Sequence, residues 1–216
     1  MYELYYAPGT ASLAIHWMLI ELNAAFELVL VDLKTNQQKS PEYLRINPNG
    51  RVPTLVVDGQ PHFECAALLM LLAESHPDRG LQPLPGTPER AAYLQWMFYL
   101  ANTLQPAFRN WFYPDEAAGA ENAEAAKACA KAKIEDAWRR IDVLLADGRT
   151  FMLGPRLTAL DFLATMLARW SRNMPNPATD YPNLARYISH MRMLPSLKEV
   201  HRRENLADWI DDDARN

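Results

Sequence analysis

The stretch YYAPGTASLAIHWML, residues 5–19, runs from two aromatics through a Pro-Gly turn into an apolar run carrying two hydroxyls, Thr10 and Ser12. Either hydroxyl can cap the start of a helix. A hydroxyl at a helix start also lies where an anion is favoured, because unpaired N–H groups and the positive end of the helix dipole converge there. Tyr5 and Tyr6 place two phenols beside the same turn. A second stretch, NPNGRVPTL at 47–55, contains Pro53. Proline has no N–H, so a strand containing it must hold that position at its start or at an open edge. The segment around Val52 therefore offers backbone groups to something other than a neighbouring strand; an X-Pro turn without a ligand uses the same residues. A third stretch, FEC at 63–65, puts Glu64 and Cys65 at the start of an apolar helix, again a place for an anion, although an ordinary acidic first turn also accounts for Glu64.

Other chemistry is poorly represented. Cys65 and Cys129 have neither a CxxC partner nor metal-ligand spacing, and the five histidines form no HExxH or paired-ligand pattern. Neither a metal nor a disulfide framework is expected. The formal net charge of -4 supplies no clustered basic face for nucleic acid or an anionic membrane. No apolar run approaches the roughly 18–20 residues that cross a bilayer, and the first residues form no leader, so the expected location is the cytoplasm. With 49% hydrophobic and 22% charged residues, the chain can bury a core.

Specific elements must position these groups. YELYYA (2–7) reads as a strand, Ser12–Leu22 as a helix and FELVLVDL (26–33) as a strand, a unit that normally implies parallel strands. A polar helical stretch at 40–50 follows. Two short runs then flank Asp58-Gly59, a strong hairpin signal, and a helix spans 64–74. The dense Pro and Gly of 76–91 break both helix and strand. The expected organisation is a domain over 1–77, a linker over 78–87 and a helical domain over 88–216. Helices are expected over 88–113 with an interruption at Pro106, 121–147, 158–172 and 182–194, with a short piece from Ser196. Thr158 followed by Asp161 forms a capping element before a buried helix. His16 is expected to be packed without a partner, and DWIDDDARN (208–216) to be a solvated tail.

An α/β layer in this order, with NPNGRVPTL and then an acid at a helix start, resembles the thioredoxin-like N-terminal domain of cytosolic glutathione transferases. The helical half is similar to that family's all-α C-terminal domain, and the resemblance covers essentially the whole chain. YYAPGTASLA resembles most closely the bacterial beta class or its relatives, with theta-like and delta-like enzymes as neighbours. The resemblance implies that the cysteine of glutathione pairs with Val52 before a cis Pro53, and that Glu64 faces the ligand's α-ammonium while the helix start at Cys65 receives the γ-glutamyl carboxylate. The family usually has Ser at 65, and Cys is a poorer donor. Lys34, and more weakly Arg51, would meet the glycine carboxylate. Thr103 and Gln105 would reach toward the other subunit's glutathione, and Arg109 and Trp111 would face a small hydrophobic electrophile. Beta-class enzymes commonly have His at position 105. A homodimer is implied.

A transferase of this kind needs glutathione as thiolate. Lowering a thiol pKa of about 8.5 by two units requires about 2.7 kcal/mol. One hydrogen bond to a charged group supplies roughly 1.5–3 kcal/mol. A single well-aimed hydroxyl is therefore sufficient. By resemblance the beta-class catalytic cysteine falls on Ala11, so its chemistry is absent, and Ser12 and Thr10 lead the candidates, ahead of Tyr6 and then Tyr5. Loss of that thiol favours conjugation over thiol-disulfide exchange. Cys65 would lie at the γ-glutamyl end of a ligand about 10 Å long, far from its sulfur, and reads as inert. The alternatives are a binding module of the same fold that has lost turnover, or a glutathione-dependent peroxidase, reductase or isomerase.

Overall fold

The computed structural model describes residues 1–206, 209 and 210. Strand β1 (Tyr2–Tyr6), helix α1 (Ser12–Glu21) and strand β2 (Phe26–Leu30) form the strand-helix-strand unit. β1 and β2 run parallel, with Leu4 opposite Leu28. Residues 12–19 of α1 are all buried; a helix that is apolar all round has no solvent side. Helix α2 (Pro41–Ile46) starts where the Ser40 hydroxyl accepts the Tyr43 N–H at 3.2 Å, with Pro41 in the first turn, where a missing N–H costs nothing. Strands β3 (Thr54–Val57) and β4 (Gln60–Phe63) pair antiparallel around Asp58 and Gly59. Both turn residues have positive φ, 50° and 81°, as a two-residue I′ turn requires. The sheet order is β2-β1-β3-β4, with β3 antiparallel to β1. Helix α3 (Cys65–Ser75) buries Cys65, Leu68, Leu69, Leu72 and Ala73, a single stripe at helical spacing.

The rest is helical. Helix α4 (Pro88–Tyr99) leads into α5 (Gln105–Phe112) through a wider stretch, Leu100–Leu104. The Gln105 N–H bonds to the Leu100 carbonyl, five residues back. Pro106 cannot donate to the regular ladder, and the widened turn absorbs that gap just N-terminal to the proline. There follow α6 (Pro114–Ala118), α7 (Ala123–Leu144), α8 (Ala159–Trp170), α9 (Pro182–Arg192) and α10 (Pro195–Arg203). Phe108 of α5 lies 6.0 Å from the Trp138 ring of α7 and 5.7 Å from that of Trp170 of α8, forming the aromatic centre of this helical part. The capping element forms: the Thr158 N–H donates to Asp161 Oδ2 at 2.8 Å, and nearly all of α8 is buried behind it.

The chain divides into two compact units, Met1–Gln82 with Arg192–Asn216, and Pro83–Met191. This differs from the sequence expectation, which placed 88–216 in one domain. Helix α10 belongs with the first unit because Leu197 and Val200 are buried and Trp17 Nε1 of α1 donates to Ser196 Oγ at 2.8 Å. Of the tail read as solvated, Asp208 and residues 211–216 lie outside the described residues. Trp209 departs from that reading, since it is 3% exposed and stacks on His201 with ring centres 6.1 Å apart. No helix among the described residues is long and apolar enough to cross a membrane.

Candidate functional site

The turn between β1 and α1 gathers both candidate hydroxyls. Ser12 is fully buried; its Oγ accepts the Ala7 N–H at 3.2 Å and lies 3.1 Å from the Ala7 carbonyl. Thr10 is half-buried, and its Oγ1 reaches the same carbonyl at 2.8 Å and Ser12 Oγ at 2.9 Å. Ser12 thus holds the turn closed from the inside, while Thr10 stands at its surface with a proton it can redirect. When Thr10 turns that proton outward, Ser12 can donate to Thr10 Oγ1, and a hydroxyl that accepts is a better donor. The N–H of Ala11, immediately before α1, finds no acceptor among the described residues. A hydroxyl, an N–H without an acceptor among the described residues and a helix N-terminus therefore lie within one short turn, an arrangement suited to an anion.

The two phenols leave β1 on opposite faces, as successive strand residues must. Tyr6 meets the ring of His16 at 5.8 Å, and Tyr5 meets Tyr43 of α2 at 5.9 Å. A hydrogen bond to Glu3, with burial second, pushes the Tyr5 pKa up to about 12. Burial, and then the charge of Glu204, raises that of Tyr6. Both remain donors at neutral pH.

Val52 precedes a cis peptide bond to Pro53 and lies off the sheet ladder, which begins at Thr54. The loop before it is built from the inside. Asn47, almost wholly buried, donates from Nδ2 to the Arg51 carbonyl at 2.9 Å and to Thr54 Oγ1 at 3.0 Å. The Tyr43 hydroxyl donates to the same Arg51 carbonyl at 2.7 Å. Gly50 completes the loop at φ 58°, where an added Cβ would come within 2.8 Å of the Gln38 carbonyl. Tyr43, Asn47 and Thr54 are supports that sequence reasoning missed; Asn47, the buried asparagine of NPNG, was the available signal.

Glu64 is exposed, makes no side-chain cap and sits at φ 75°, a conformation that L side chains rarely adopt. Strain of this kind at a helix start points to a functional constraint. Behind Glu64 the first N–H groups of the 11-residue helix α3 have no intrahelical acceptor. The Cys65 thiol is buried and directed backward, to the Ala11 carbonyl at 3.3 Å, which ties the start of α3 to the hydroxyl-bearing turn. Burial, with Glu64 second, pushes its pKa up to about 12. Lys34 and Arg51 are exposed, and neither side chain has a hydrogen bond or ion pair among the described residues.

One expectation fails. His16 has a partner: its Nδ1 lies 2.8 Å from Glu204 Oε1, and both side chains are fully buried. The other oxygen of Glu204 accepts the Gly9 N–H at 2.8 Å. Sequence reasoning missed Glu204 because 188 residues separate it from His16, and a lone acid after a charged helix carries no signal.

The remaining candidates lie in the second unit. Thr103 is exposed in the widened stretch and Gln105 is half-buried at the start of α5. Arg109 makes a two-pronged bond to Glu116, with its guanidinium 3.9 Å above the Tyr113 ring. The Lys127 ammonium lies 4.8 Å over Trp111. No group of three His, Cys, Asp or Glu able to hold a metal occurs among the described residues.

Residues 1–74 match the model of the glutathione S-transferase N-terminal domain and residues 116–190 that of its C-terminal domain. The glutathione S-transferase GstA of Escherichia coli is 30% identical over 206 residues, 94% of this chain and 99% of that protein. The chain belongs to the glutathione S-transferase family.

Solved structures of glutathione S-transferases agree with this placement. A bacterial beta-class enzyme from Sphingomonas chungbukensis superposes with a TM-score of 0.82 at 30% identity, over 94% of this chain and 99% of that one. A transferase homologue from Sulfitobacter, solved with bound glutathione, gives 0.86 at 27% identity, over 94% and 98%. The chain is thus a beta-class-like glutathione S-transferase in fold and enzyme class.

Proposed function

We propose that this transferase ionises glutathione at the Ala7–Ser12 turn and adds the thiolate to small apolar electrophiles. Val52 offers its backbone to the cysteine of the tripeptide, and Glu64 with the N-terminus of α3 takes the γ-glutamyl end. Lys34, with Arg51 beside the same loop, takes the glycine carboxylate. Thr10 donates to the sulfur, and Ser12 fixes Thr10 from behind. Tyr6 stands next in line as donor, whereas the Tyr5 ring packs on Tyr43 on the opposite face. Cys65 contributes its backbone N–H and not its thiol.

The observation that carries this reading is the pair of hydroxyls 2.9 Å apart, one buried and saturated, the other at the surface. A hydrogen bond of roughly 1.5–3 kcal/mol to the anion, with about 0.3–1 from the helix end, accounts for about one to three units of thiol acidification. Once formed, the thiolate attacks the electrophilic carbon, the carbon–sulfur bond forms and the leaving group departs with its electron pair. Thr103 and Gln105 are assigned to the polar rim beside a second subunit of a homodimer. Trp111 is assigned to the electrophile side, with Arg109 contributing packing there because Glu116 occupies its donors. The working location is the cytoplasm. Retention on immobilised glutathione, conjugation of an aryl halide panel and a sedimentation mass twice that of the chain test these statements. Retention without turnover on any electrophile overturns the transfer step, and absence of retention overturns the ligand.

A further inference from the structure

We infer that Glu204, just past the last helix, is a positioning residue for the thiolate turn, acting through the Gly9 N–H; this rests on the reading of that turn given above. Its carboxylate is fully buried, and it divides its oxygens between Gly9 and His16 at 2.8 Å each. Burying a carboxylate is costly unless its lone pairs are engaged, so the contact needs a reason beyond packing. Docking of α10 does not supply one. Leu197 and Val200 are buried without it, and Trp17 already bonds Ser196 across the same helix pair.

What Glu204 adds is specific to the turn. Pro8 has no N–H, so Gly9 carries the first donor after Ala7. Gly9 sits at φ 69°, and its peptide plane sets the direction in which the chain reaches Thr10. Holding that N–H on a fixed acceptor holds Thr10 Oγ1 near Ser12 and free to face outward. His16 is clasped edge-on by Tyr6 at 5.8 Å and Phe26 at 5.6 Å, so its Nδ1 pins the carboxylate in turn. The C-terminal segment thereby becomes part of the sulfur site, through residues 195 positions apart.

The test separates ionisation from binding. Thiolate absorbance near 240 nm, followed across pH, gives the pKa of bound glutathione, and S-methylglutathione, which has no thiol to ionise, reports the rest of the binding frame. In Glu204→Ala the bound thiol pKa rises by about one unit and kcat/KM near pH 6.5 falls about tenfold, with the S-methylglutathione Kd within about twofold of wild type. Glu204→Gln, whose amide oxygen can still accept from Gly9, falls between, and Glu199→Gln, at a half-buried position of α10 whose carboxylate pairs with Arg202 and Arg203, leaves every reading unchanged. If Glu204→Ala does not fold, Glu204→Gln decides by the same thiol titration. A wild-type-like thiol pKa in the folded variants, or a loss of S-methylglutathione affinity parallel to the loss of turnover, overturns the inference. An unshifted thiol in the wild-type protein overturns the reading of the turn itself, a result distinct from a failure confined to Glu204.

Discussion

Thr10 and Ser12 differ by two positions in sequence and by their whole environment in the fold. Replacing Thr10 by Val keeps its shape and removes the donor, so the bound thiol pKa is expected to rise by one to two units, about 1.5–3 kcal/mol, with kcat/KM lower by about 10–100-fold. Ultraviolet titration of bound glutathione measures this. Ser12→Ala removes the acceptor of a buried N–H and costs about 1–3 kcal/mol of stability, read as a shift in urea midpoint. The cysteines give a second contrast. With its pKa pushed up to about 12, Cys65 stays protonated and inaccessible at neutral pH, whereas Cys129 is exposed on α7. Iodoacetamide on the native protein should label Cys129 alone, and Cys65→Ser should leave glutathione affinity within about threefold, since the Cys65 thiol is turned to the Ala11 carbonyl and the donor proposed for the ligand there is backbone. The types of these residues were legible from their stretches. Which hydroxyl faced outward was not, because exposure at a turn depends on what packs behind it.

Among the elements, α8 is stabilised by a buried acid. Four donors converge on Asp161, from Met152, twice from Thr158, and from Tyr187, yet burial outweighs them and its pKa is pushed up to about 6. The folded state therefore holds this proton more tightly than the unfolded chain, whose value is 3.8. The associated stability is fully present below about pH 4 and is lost as pH rises through about 6, a change of about 3 kcal/mol. Asp161→Asn removes that dependence and strands donors, so its urea midpoint deficit relative to wild type should be larger at pH 4.5 than at pH 7.5. The Thr-x-x-Asp pattern disclosed the cap, but not the Tyr187 hydroxyl, which comes from 26 residues away. Pro106 was likewise legible as a break. That the break takes the form of a widened turn at Leu100–Leu104 follows from how the helix recovers its bonding, which composition does not specify.

For the molecule as a whole, the first unit needs both ends of the chain. Removing residues 192–216 strips α10 from α1, uncovers Trp17 and His16 and deletes Leu197, Val200 and Glu204 from the core. Two large apolar side chains alone correspond to about 3–6 kcal/mol, a large share of ordinary domain stability. The truncated chain should show a lowered Tm or an expanded state by near-ultraviolet circular dichroism, and lose retention on immobilised glutathione.

The sequence by itself determined the order of strands and helices, the hairpin at Asp58-Gly59 and the family to which the whole belongs. Each of these rests on local stereochemistry or on spacing within one stretch of chain. Only the tertiary structure decided that Ser12 is buried and Thr10 half-buried, that the Cys65 thiol turns back to the Ala11 carbonyl, and that Glu204 sits on the Gly9 N–H. Those outcomes depend on which distant atoms fill the space beside a residue, and long-range packing of that kind leaves no periodicity to read.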